Sequence, residues 1–323
     1  MLLIKKRRPF PLRIKQEEAL LRRLPLNHKK RQDITQSLRN LRAGYRGEVE
    51  LDYHLQFLPE KDFLIFQDLR LPLQDRFFQI DTLVLTPAYA LIIESKNIYG
   101  HLFFNPVSKQ VIRTFQDNKE GFPDPLMQAK RQQIQLQKWM EAESIKSCPV
   151  YKLISIGSPS TIVETAPGNE AIFTQILHAE HIPNKILEFP TEPKLLSSYQ
   201  LKKLSEHLLQ NHIPLKLDIL KRYRLSSSEL LKGIACPHCP NHQLTRIFAN
   251  WKCPQCKTKR KKAHVRVIKD HLLIHGFITN EQCRELLNLS SIHTATRLLK
   301  AMRLPLEGKT KGRVYYTPLT PPI

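Results

Sequence analysis

Residues 79–96, QIDTLVLTPAYALIIESK, constrain the fold more than any other stretch. Two apolar runs flank a tight turn, which predicts a β-hairpin. Yet these runs carry Asp81, Glu94 and Lys96. A two-residue Pro87–Ala88 loop pairs Thr86 with Tyr89 and, counting outward, Asp81 with Glu94. Directly opposed residues on one face have Cβ atoms roughly 5 Å apart. Lys96, two residues beyond Glu94, projects from the same face. Two carboxylates at that spacing repel unless a cation lies between them. The alternative is a Glu94–Lys96 salt bridge at a strand end with Asp81 solvated. A register slip of one residue would send Asp81 to the other face.

The neighbouring segments predict an α/β core with a mixed sheet. A helical pattern over 31–55 uses Ile34, Leu38, Leu41, Val49, Tyr53 and Leu55, with Gly44 and Gly47 as a break. DFLIFQDLRL reads as a strand, and after the hairpin come two short strands, GHLFF and KQVIRTF. DPLMQAKRQQIQLQKWMEAE predicts a helix capped by Asp124 with Pro125 at its first position, Leu126, Ile134 and Trp139 lying on its apolar side. VYKLISI returns as a strand. Residues 161–232 form an extension that includes a helix at SSYQLKKLSEHLLQNH and carries no recognisable chemistry.

Charge narrows the partners. The 323-residue chain has 51 Lys and Arg against 29 Asp and Glu, a formal net charge of +22. The excess sits at the ends: residues 1–46 hold 14 basic against 3 acidic, and residues 257–313 hold 14 against 4. An anionic partner follows, with nucleic acid first. A membrane surface ranks second, because no helix pairs a basic face with a strongly apolar one. The opening MLLIKKRRPFPLRIK puts basic residues after a few apolar ones, the wrong order for a signal peptide. No run approaches the roughly 18 apolar residues of a membrane span. The expected compartment is the cytoplasm, and residues 1–30 read as a basic arm with one short helix.

Two carboxylates beside a lysine suit a hard cation. Mg²⁺ (or Mn²⁺) takes one or two carboxylates plus waters and phosphate oxygens, and can generate hydroxide from bound water. At this point the sequence resembles the NERD (nuclease-related) domain of the PD-(D/E)XK nuclease superfamily. The likeness is carried by GYRGEVELDYHL (44–55), QIDTLVL (79–85), LIIESKNIYGHL (91–102) and DPLMQ (124–128). It implies a restriction-endonuclease-like mixed sheet flanked by helices over residues 31–160. It also implies Asp81 and Glu94 as metal ligands, Lys96 as the residue that orients the attacking water, Glu48 as an accessory acid and Gln128 as a polar contact. Two departures stand out. The family usually places an aromatic, often Trp, in the strand that here reads KQVIRTF. Its helix usually opens with Asn-Pro, where this chain has Asp124-Pro125.

Downstream, CPHCPNHQLTRIFANWKCPQC sets Cys236-x2-Cys239 thirteen residues before Cys253-x2-Cys256. Two such knuckles can close a tetrahedral thiolate site around structural Zn²⁺. Residues 233–262 thus resemble a zinc ribbon, with His238 and His242 as bystanders. The run KTKRKKAHVR follows, so Lys257, Lys259, Arg260, Lys261 and Lys262 are candidates for phosphate contact. Residues 263–323 read as helix, helix, turn, helix, hairpin and resemble a winged helix-turn-helix. Thr279 or Asn280 and Ser290 or Ser291 are its candidate caps. His293, Thr296, Arg297 and Lys300 on the third helix and Lys309, Lys311 and Arg313 on the wing are candidate DNA contacts. A small protein–protein module is the alternative there, and Cys283 is expected in the core.

The function expected is a metal-dependent nuclease acting on DNA. The competing readings are a non-catalytic DNA-binding or regulatory protein on a nuclease-like fold, and an RNA-processing factor. Oligomeric state stays open.

Overall fold

The computed structural model describes residues 4–59, 63–146, 148–239 and 242–317. The chain divides into two compact units, Met1–Phe10 with Leu41–Leu215, and Pro11–Asn40 with Lys216–Ile323. It opens with β1 (Ile4–Lys6), α1 (Leu12–Arg23) and α2 (Arg31–His54).

The first unit is built on a mixed six-stranded sheet flanked by helices. After α2 come β2 (Leu64–Leu73), β3 (Arg76–Leu85) and β4 (Ala90–Lys96), an antiparallel meander. β5 (His101–Asn105), β6 (Gln110–Phe115) and β7 (Asn118–Pro123) precede α3 (Pro125–Ala142) and β8 (Val150–Ile156). Then follow β9 (Ile162–Thr165), β10 (Ile176–His178), α4 (Ile182–Leu187) and α5 (Ser198–Gln210). The large sheet runs β1-β2-β3-β4-β8-β10, and a second sheet runs β7-β6-β5-β9. β1, β8 and β10 each join in parallel, which makes the large sheet mixed.

Side chains alternate across this sheet. Leu83, Leu85, Ala90 and Ile92 pack with Leu136, Trp139 and Met140 of α3 and Leu204 and Leu208 of α5. Val84, Leu91 and Ile93 pack on the other face with Leu51 of α2 and Ile182 and Ile186 of α4. Burial on both faces explains why the hairpin strands are apolar almost without interruption. Its register is the one a Pro87–Ala88 loop dictates: Leu85 pairs with Ala90 and Thr82 with Ile93.

Four local expectations need correction. Gly44 and Gly47 do not break α2, which is continuous. Gly47 instead permits a close approach, since a Cβ there would lie 2.5 Å from the Asn97 Cβ, and one on Gly157 would lie 2.6 Å from the Gly47 Cα. In α3, Asp124 caps through the Leu126 N–H at 2.8 Å as expected. The buried face, however, is Ala129, Gln132, Leu136, Trp139 and Met140, with Ile134 exposed. The inserted hairpin has a third strand, β7, whose polar NKEG gave no strand pattern. Residues 1–30 are not a free arm: β1 enters the large sheet, and α1 belongs to the second unit.

In the second unit Leu20 and Leu24 of α1 pack with Ile34, with Ile219 and Tyr223 of α6 (Ile219–Tyr223), and with Ile274 of α7 (Ala263–His275). The Arg22 Nη2 donates to buried Asp270 at 2.7 Å. A three-stranded ribbon, β11 (Thr245–Ile247), β12 (Asn250–Lys252) and β13 (Lys259–Arg260), precedes α7. β14 (Phe277–Thr279), α8 (Asn280–Leu287), α9 (Ile292–Ala301), β15 (Leu306–Glu307) and β16 (Val314–Tyr316) complete it, with sheet order β14-β16-β15. β14 was missed in the sequence because three residues carry no period. Thr279 and Ser291 cap α8 and α9, and Cys283 is fully buried. Among the described residues no helix is long and apolar enough to cross a membrane.

Candidate active site and metal centres

β3, β4 and α3 bring the expected acids together with their neighbours. Glu94 is 2% exposed, and three donors surround its carboxylate. Lys96 Nζ donates to Oε1 at 2.6 Å, Gln128 Nε2 donates to Oε1 at 2.6 Å, and Gln132 Nε2 donates to Oε2 at 2.8 Å. Lys96 Nζ also donates to Gln128 Oε1 at 3.0 Å. Gln128 and Gln132 stand one turn apart on α3, so one helix face presents both amides. Gln132 was missed in the sequence. Its signal was available: a buried-face position at i+4 from Gln128 on a helix over a strand acid.

Asp81 Oδ2 accepts from the Ser95 N–H at 3.1 Å, which ties β3 to the end of β4 that carries Glu94 and Lys96. Burial, then the charges of Glu94 and Glu48, push the Asp81 carboxyl well above its usual range, against the Ser95 N–H and Lys96. Two strand acids thus share one field, whose repulsion a proton on Asp81 or a bound cation would relieve. Glu48 comes from α2, one residue after the glycine that lets that helix approach β4 and β8. Burial raises its carboxyl too, with Arg8 opposing.

Arg8 was not expected here. Its side chain is 5% exposed, and its guanidinium links α2 to β3. Nε donates to Asp52 Oδ2 at 2.8 Å and Nη1 to Glu48 Oε2 at 3.0 Å. Nη2 donates to the Asp81 carbonyl at 2.8 Å and to Thr82 Oγ1 at 3.1 Å. The planar fork fits because Asp52 follows Glu48 by one helical turn. In the sequence Arg8 is one of four consecutive basic residues, KKRR, and nothing local separates a buried organiser from solvated charge. A cavity of about 240 Å³ opens beside Lys96 and Gln128, walled by Leu102, Phe104 and Phe122.

The comparisons bear on this geometry. Residues 43–156 match the family model of the nuclease-related domain, NERD. No curated protein and no solved structure matches the chain. The NERD segment contains Glu48, Asp81, Glu94, Lys96, Gln128 and Gln132, while Arg8 lies outside it.

The second centre is closed. The Sγ atoms of Cys236, Cys239, Cys253 and Cys256 all lie within 4.8 Å of one another, and Cys236 and Cys256 are 3.6 Å apart. A tetrahedron with metal–sulfur bonds of about 2.3 Å has sulfurs roughly 3.8 Å apart, so these residues fit a structural metal. Among the described residues no other set of three or more His, Cys, Asp or Glu ligands is this close, Asp81, Glu94 and Glu48 included. The second knuckle is a tight turn, with Lys257 N–H on the Cys253 carbonyl, and Cys236 N–H donates to the His242 carbonyl.

The basic candidates fall in two groups. Lys257, Lys259, Arg260, Lys261 and Lys262 are exposed around β13. On α9, His293, Arg297 and Lys300 are exposed on one face, whereas Thr296 is half-buried and accepts from Asn280 Nδ2 at 2.8 Å. Lys309 is exposed and Arg313 half-buried. The side chain of Lys311 lies outside the described residues.

Proposed function

We propose that the first unit is a metal-dependent nuclease centre cutting DNA, and that the second unit holds the nucleic acid through a zinc ribbon and a winged-helix-like module. The observation that carries the reading is that Asp81 and Glu94 lie on adjacent strands just beyond the last ladder pair, Thr82 with Ile93, with Lys96 Nζ 2.6 Å from Glu94, inside a NERD-matched segment. A Mg²⁺ or Mn²⁺ ion held by Asp81 and Glu94 would supply a Lewis acid and a bound hydroxide at the phosphate. Asp81 and Glu94 would hold that ion through their carboxylates. Lys96 Nζ, 2.6 Å from Glu94 Oε1, would orient the attacking water and offset phosphate charge. Gln128 and Gln132 hold the Glu94 carboxylate plane. Arg8 fixes Glu48 and the Asp81 main chain.

Cys236, Cys239, Cys253 and Cys256 would hold Zn²⁺ as a structural ion, with all four positions filled by sulfur. The order of α7, β14, α8, α9, β15 and β16, with β14 paired to β16, supports a winged helix whose α9 face of His293, Arg297 and Lys300 meets DNA. One observation favours a non-catalytic reading instead: both Glu94 oxygens are engaged by protein donors. The test is cleavage of plasmid, linear and single-stranded DNA and of RNA by wild type, Asp81→Ala and Lys96→Ala, with Mg²⁺, with Mn²⁺ and without divalent ion. Ion-dependent cleavage lost in both variants supports the nuclease. Binding without cleavage on every polymer supports the alternative.

A further inference from the structure

The ribbon presents a surface that the cysteine site does not explain. Phe248 forms the turn between β11 and β12 with Ala249, whose φ is 55°, and is 97% exposed. Among the described residues it is the most exposed large apolar side chain, and at a hairpin tip its ring is open to stacking by a partner. The strand register separates two faces. Arg246, Trp251 and Arg260 share one, where Trp251 is buried and Arg246 lies over its ring at 5.2 Å. On the other, Lys252 is paired directly with Lys259. Like charges opposed across two strands destabilise a sheet. Among the described residues no carboxylate lies within ion-pair distance of either lysine. The pair therefore fits an anion. Lys252 stands two residues from the first pair beside the turn, about 7 Å along the strand.

We propose that this ribbon binds an unpaired nucleotide segment, with its base stacked on Phe248 and its phosphate between Lys252 and Lys259. The proposal rests on the reading that the chain binds nucleic acid, and narrows it to a substrate with a single-stranded region. An aromatic face beside a cationic track is the chemistry that holds single strands without regard to sequence. A base stacked within a duplex offers no free face to Phe248.

The test is fluorescence anisotropy with the full chain and no added divalent ion, so that binding is read apart from cleavage. Labelled single-stranded DNA, single-stranded RNA and blunt duplex DNA of one length are compared. Phe248→Ala is expected to weaken single-strand binding about tenfold and to change duplex binding less than twofold. Phe248→Trp keeps it. Lys252→Ala with Lys259→Ala is expected to lower the slope of log K against log salt by about 1.4 on single strands, from two contacts. Whichever of DNA and RNA binds more tightly identifies the strand. The proposal is overturned if Phe248→Ala binds single strands as wild type does, if it weakens duplex and single strands equally, or if wild type binds no single strand. Because Phe248 is exposed, retained zinc in Phe248→Ala confirms an intact ribbon. Absence of cleavage in the Mg²⁺ assay would remove the nuclease and leave this binding result untouched.

Discussion

The two candidate metal centres differ in how far along the chain their parts lie. The four cysteines span 21 residues, and two local turns bring their sulfurs together. The strand site draws Arg8 from β1's end, Glu48 from α2, Asp81 from β3, Glu94 and Lys96 from β4, and Gln128 and Gln132 from α3. A four-cysteine set would depend on a bound metal for its local folding, whereas the acid site is held by a sheet buried on both faces and by Arg8. One centre is therefore expected to fail by losing its ion, the other by losing its supports.

The largest effect should come from the cysteines. Cys253→Ser, or zinc removal by chelation, is expected to unfold the ribbon, because metal binding there is folding free energy. Circular dichroism and limited proteolysis should show loss in the second unit while the first unit's sheet persists; loss of both together would break the contrast. Next is Arg8→Ala. It strands Glu48 and Asp52 without a counter-charge, and breaking a buried pair costs about 3–5 kcal/mol. Urea unfolding should read that loss, and Arg8→Lys should recover only part of it, since an ammonium cannot supply the fork.

Gly47→Ala comes third, at about 1–3 kcal/mol, from the clash with Asn97. Gly44→Ala is its control: a Cβ there meets nothing within 4 Å, so the helix should gain up to about 1 kcal/mol. A loss at both positions would contradict the close approach of α2. Asp81→Asn should raise stability by about 2 °C in Tm at neutral pH without added divalent ion. With its native pKa raised, Asp81 costs stability when ionised. The gain is therefore present above that raised pKa and fades as pH falls towards the unfolded value of about 3.9. A Tm difference that stays constant with pH would sink it.

These contrasts also explain what was legible beforehand. The hairpin register could be read because Pro87–Ala88 fixes the turn, and the observed pairs from Leu85–Ala90 to Thr82–Ile93 follow it. The α3 cap could be read because Asp124-Pro125 is a local signal. The cysteine ligand set needed only spacing. Arg8, by contrast, looked like any residue in a basic run, and its role arises from α2 and β3 meeting 40 and more residues later. Gly47 looked like a helix breaker because sequence cannot reveal which backbone will press against it. Gln132 sat on a face assigned to Ile134, since an amide that satisfies a buried carboxylate counts as polar in any hydrophobic pattern. Sequence thus displayed the candidate residues of both centres and concealed what holds the strand site in place.

The most direct measurement is Mn²⁺ binding, followed by electron paramagnetic resonance on zinc-loaded wild type, Asp81→Asn and Glu94→Gln. The account predicts a Mn²⁺ site in wild type that both substitutions abolish while the zinc content stays unchanged. Equal Mn²⁺ binding by all three proteins would contradict it.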